Sequence, residues 1–69
     1  MTRNRNKVVE AFNKAGITFS EVGRTYRGWI VICLHTPTIS QRLTIEQTLN
    51  CQCLIDLRDV AYLTDFKRI

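Results

Sequence analysis

The chain has 69 residues, with ten Lys/Arg against six Asp/Glu, a net charge of +4, 45% hydrophobic residues and a single proline. A chain this short buries only about 60% of the surface its unfolded form exposes, so it makes one domain around one modest core. Its composition is globular and excludes a disordered or low-complexity chain.

The longest apolar stretch, Trp29 to Leu34, is strand-sized and far from the roughly 20 residues of a membrane span. The opening MTRNRNKVVEAF is basic but has no apolar h-region, so no secretory signal is expected. Three cysteines without regular spacing do not form a disulfide framework. Together these features predict a cytoplasmic protein with reduced thiols and no membrane partner. The positive excess favours an anionic partner, although many small domains carry as much charge without one.

In chain order, Asn4 to Ala15 reads as a helix. Val8, Phe12 and Ala15 recur at i, i+4 and i+7, Val9 and Ala11 widen the stripe, and Lys7, Glu10, Asn13 and Lys14 take the other side. Thr2, Asn4 or Asn6 can cap its start, and Gly16 stands where a left-handed C′ residue belongs. Beyond Gly16 the period drops to two, and Ile17, Phe19 and Glu21 suggest a short strand. Trp29 to His35 is a second strand of high β-propensity. Ile30, Ile32 and Leu34 are assigned to the core, and Trp29, Val31, Cys33 and His35 to the outer face. Gly23 and Gly28 bracket the connection, which predicts an antiparallel hairpin.

Thr36-Pro37-Thr38 stops the second strand, because proline cannot donate to a ladder. A helix is expected within residues 39–50, with Thr44 and Gln47 as a capping box. Cys53 to Leu57 reads as a third strand ending at Arg58-Asp59. Over residues 60–69, Val60, Tyr62, Thr64 and Phe66 suit a fourth strand better than a closing helix. The expected class is α+β: a two-layer domain with an N-terminal helix, a second short helix and an antiparallel sheet of three to four strands.

No catalytic signature emerges, and a non-enzymatic protein without cofactor is expected. Cys33, His35, Cys51 and Cys53 are possible metal ligands, but the pairs are too close in sequence for a turn to wrap an ion. Buried cysteines are the simpler reading, so no metal is predicted. Cys33 and His35, two apart on a strand, sit roughly 6–7 Å apart along it, too far for a thiol and its base. A small ribonuclease using His35, Tyr26, Arg24 and Arg27 remains an alternative. Gly16, Gly23 and Gly28 are spaced for caps and turns, not for a phosphate loop.

Two basic features remain. Arg3, Arg5 and Lys7 crowd the start of the first helix, where cations oppose the macrodipole by about 0.3–1 kcal/mol each. An anion bound there would explain them; a frayed tail carrying Arg3 and Arg5 would also do so. In RTYRGW, Arg24, Tyr26, Arg27 and Trp29 combine guanidinium and aromatic groups, as binders of single strands do. The same residue types enrich protein interfaces or merely cover the end of a sheet. The expectation is nucleic-acid binding through Arg3, Arg5, Lys7, Arg24, Tyr26, Arg27 and Trp29. The alternative is a protein-binding modulator or inhibitor of a larger complex, of the accessory type carried by phages and mobile elements. Self-association as a homodimer is compatible with either.

Overall fold

The structure, a computed structural model, describes residues 4–65. The elements are α1 (Arg5–Ala15), β1 (Phe19–Arg24), β2 (Gly28–Cys33), α2 (Ile39–Leu49), β3 (Cys51–Ile55) and β4 (Val60–Asp65). The strands form one sheet in the order β1-β2-β4-β3, antiparallel at every step. The fold is therefore the small α+β domain expected from the sequence. Because β2 and β3 both run antiparallel to the β4 strand between them, β2-α2-β3 is a split β-α-β unit.

α1 forms as its sequence dictates. The Asn4 Oδ1 atom caps it by accepting from the Lys7 N–H at 3.0 Å, and Gly16 closes it at φ 79°. Val8, Ala11 and Phe12 are buried on its inner face, and Phe12 meets Phe19 edge to face with ring centroids 5.9 Å apart. Thr2, offered as a cap, and Phe66, offered as a strand residue, lie outside the described residues.

Three details differ from expectation. The capping box of α2 is Thr38 with Gln41, not Thr44 with Gln47: Thr38 is extended, its hydroxyl accepts from the Gln41 N–H at 3.1 Å, and its own N–H donates to Gln41 Oε1 at 2.9 Å. β3 begins at Cys51 and ends at Ile55, so Leu57 falls in the turn.

The third difference reverses a face. On β2 the helices cover Trp29, Val31 and Cys33, while Ile30 and Ile32 are half-buried on the open side. Leu34 lies past the strand and is 64% exposed. Both faces of β2 are apolar, so local pattern could not choose between them. The choice comes from the neighbouring strands: the covered residues align across the register with Ala61, Leu63, Cys53 and Ile55, which join them in one core with Val8, Phe12, Ile45 and Leu49.

The strand directions define two ends of the molecule. The β1–β2 turn marks one; β3 starts there and β4 finishes there. Short connections bring the α1 N-terminus and the α2 C-terminus to the same end. Gln41 Nε2, near the start of α2, donates to the Gly16 carbonyl at the end of α1 at 3.2 Å, which fixes the helices antiparallel. The other end holds His35, the α2 N-terminus and the β3–β4 turn. No helix among the described residues is long and apolar enough to cross a membrane.

Candidate functional site

At the β1–β2 turn the Thr25 N–H donates to the Gly28 carbonyl at 2.8 Å, and the Gly28 N–H donates back to Thr25 Oγ1 at 3.0 Å. This closed turn projects Tyr26 fully into solvent, with Arg27 beside it, also exposed. Arg24 and Trp29 pair across the hairpin, and the Arg24 guanidinium lies 5.0 Å from the Trp29 ring centroid, a cation–π contact. Trp29 itself is a core residue, 9% exposed. Of the two hairpin aromatics predicted at the contact, Tyr26 is thus the accessible one, and Trp29 holds Arg24 in position.

Arg5 and Lys7 occupy the first turn of α1 and are exposed. The helix proper includes Arg5, so its charge opposes the macrodipole as supposed; Arg3 lies outside the described residues. Topology brings Arg5, Lys7, Arg24 and Arg27 to one end of the molecule. None has a carboxylate partner within ion-pair distance among the described residues.

Two ion pairs lie elsewhere among the described residues. Arg58 pairs with Asp56 at 3.0 Å and Arg42 with Glu46 at 3.2 Å. The latter pair also closes the outer edge of β3: Glu46 Oε2 accepts from the Cys53 N–H at 3.0 Å, and Arg42 Nη1 donates to the Cys53 carbonyl at 3.3 Å.

The turn end also carries a notch of about 330 Å³ lined by Thr25, Tyr26, Arg27, Trp29, Tyr62, Leu63 and Thr64. Register sets Tyr62 opposite Ile30 and Thr64 opposite Gly28, so both belong to the open side of the sheet. Tyr62 and Thr64 were absent from the sequence-based site. Their period of two was legible, but the placement of β4 against β2 is a long-range pairing with no local signal.

The ribonuclease arrangement is not assembled. His35 stands at the opposite end of β2 from Arg24 and Arg27, about 20 Å away along a six-residue strand. Its Nε2 accepts from the Thr18 N–H, and its Nδ1–H donates to the Thr36 carbonyl, both at 3.3 Å. The ring ties the α1–β1 connection to the end of β2.

The cysteines are core residues. Cys33, Cys51 and Cys53 are free and buried. Burial pushes the Cys53 thiol up to about 12, with Cys51 and Glu46 adding to the shift, and burial likewise raises Cys33. No three His, Cys, Asp or Glu side chains converge as metal ligands among the described residues.

A second surface is apolar. Ile39 and Leu43 of α2 and Leu54 of β3 are exposed, beside a groove of about 350 Å³ lined by Pro37, Thr38, Ile39, Arg42, Cys53, Leu54 and Ile55. No protein-family model, curated protein or solved structure matches the chain.

Proposed function

We propose that this protein is a non-enzymatic, cytoplasmic nucleic-acid-binding domain that grips a phosphate backbone at the β1–β2 end. The observation that supports this reading is that the exposed Arg5, Lys7, Arg24 and Arg27, without an ion pair among the described residues, lie at the same end of the fold as the fully exposed Tyr26. Cations held in excess at one end focus an anionic field. Two of them sit where they cost helix stability, which a bound phosphate repays at a helix N-terminus.

Association with a single strand is expected to release counterions. With about four phosphates neutralised, log K against log salt slopes near −3. Replacing Arg5 and Lys7 together by Gln removes about two contacts and flattens that slope to roughly −1.4. Sequence preference is retained, since phosphate contacts position and do not specify. A salt-independent affinity, or a slope indifferent to the double substitution, refutes the reading.

A second reading has its own support. The exposed Ile39, Leu43 and Leu54 beside the α2–β3 groove suit a protein partner, and the protein would then act as a modulator or inhibitor of a larger complex. Substitution of Ile39 and Leu54 by Ser discriminates: it abolishes protein association and leaves nucleic-acid binding intact.

A further inference from the structure

Resting on the nucleic-acid reading, we infer that the notch behind the β1–β2 turn receives one unpaired nucleobase. The notch lies where β2 and β4 meet at the turn, with Thr25, Trp29 and Leu63 among its lining residues. The two strands approach closely there: Gly28 pairs with Thr64, and any Cβ at Gly28 would strike the Leu63 backbone carbonyl.

The notch is lined by groups suited to one planar, polar-edged ring. Tyr26 offers an unobstructed aromatic face, Arg27 a guanidinium at the rim, and Thr64 a hydroxyl able to donate or accept. Tyr62 forms a wall that is fixed in advance. Its hydroxyl donates to Asp56 Oδ2 at 3.0 Å and accepts from Arg58 Nη2 at 3.1 Å, so little ordering remains to be done on binding. The volume of about 330 Å³ lies at the small end of ligand pockets, enough for one base and not for a run of them. A base paired in a duplex cannot leave its stack to enter without a further cost, so the notch selects single strands.

The test measures binding of the full chain to three labelled polymers of equal length: oligothymidylate, oligouridylate and an abasic deoxyribose-phosphate oligomer. The intact strands are expected to bind roughly 5- to 150-fold tighter than the abasic one, as for one stacked base; the two intact arms report whether DNA or RNA is preferred. Tyr26→Ala, at a solvent-exposed turn position that leaves the fold intact by circular dichroism, brings the intact strands down to the abasic affinity. Tyr26→Phe keeps the ratio. Replacing Arg5 and Lys7 weakens all three polymers alike.

Equal, salt-sensitive binding of intact and abasic polymers would overturn the notch and leave the phosphate grip standing. A ratio that survives Tyr26→Ala would also overturn it. Binding of none of the three would remove the nucleic-acid reading itself.

Discussion

At the scale of single residues, Gly28 is the most tightly enclosed of the three glycines. Its absent side chain is a requirement of the β2–β4 pairing, because the atom a Cβ would meet is the Leu63 carbonyl oxygen, which belongs to backbone and cannot rotate aside. Gly28→Ala is expected to cost at least the roughly 1–3 kcal/mol of an overpacked core, read as a lowered urea midpoint. Gly23→Ala, whose Cβ would meet only the tip of Ile30 at 3.5 Å, is expected to fold normally.

The three thiols make a second prediction. All three are buried; burial raises Cys33 and holds Cys53 up to about 12, which disfavours the reactive thiolate. Ellman's reagent is expected to modify none of them in the native protein at that pH and all three in guanidinium. Rapid native labelling would show that the core opens there. Spacing alone already favoured buried thiols over metal ligands, and the structure buries all three.

At the scale of elements, each helix is set by local chemistry and each turn by one side chain. The β3–β4 turn is built on Asp56, whose carboxylate accepts from the Val60 N–H at 3.0 Å and the Arg58 N–H at 2.8 Å, while Asp59 takes φ 64°. The Val60 backbone bond leads the causes, with the Arg58 and Tyr62 hydrogen bonds adding, that lower Asp56 from 3.8 to about 2. A carboxyl whose folded value is depressed stabilises the fold above its unfolded value and loses that contribution as pH falls. The stability advantage of the native protein over Asp56→Asn is therefore expected to be constant above about pH 5 and to shrink between about pH 4 and 2. Melting curves of both proteins across that range check it; a constant difference would show that the carboxylate's charge does not hold the turn. The α2 helix illustrates the reverse difficulty. Its buried residues are Ile45 and Leu49 alone, with Ile39 and Leu43 outside, so its apolar pattern is weak and the Thr38–Gln41 cap marks its start better than periodicity does.

At the scale of the whole molecule, the core lies between the helices and one side of the sheet, and this dictates which truncations matter. Phe12→Ala, fully buried between layers, is expected to cost about 3–5 kcal/mol, while Ile32→Ala, on the open side, stays below the roughly 2 kcal/mol at which buried aliphatic truncations begin. Denaturant unfolding of both variants measures the contrast, and equal losses would mean that something covers the open face.

The sequence by itself determined the α+β class, α1 with its Gly16 cap and a short choice of N-caps that includes Asn4, the β1–β2 hairpin and the stop at Pro37, because caps, turns and period are short-range properties of neighbouring residues. It also marked Arg5, Lys7, Arg24, Tyr26 and Arg27, since charge and aromaticity belong to residues wherever they sit. Only the tertiary structure decided which face of β2 is buried, that Trp29 supports Arg24 from within the core, and that Tyr62 and Thr64 line the notch with Tyr26. The buried face and the place of Tyr62 and Thr64 follow from β4 inserting between β2 and β3. That pairing joins segments some thirty residues apart, and nothing in a local window encodes it.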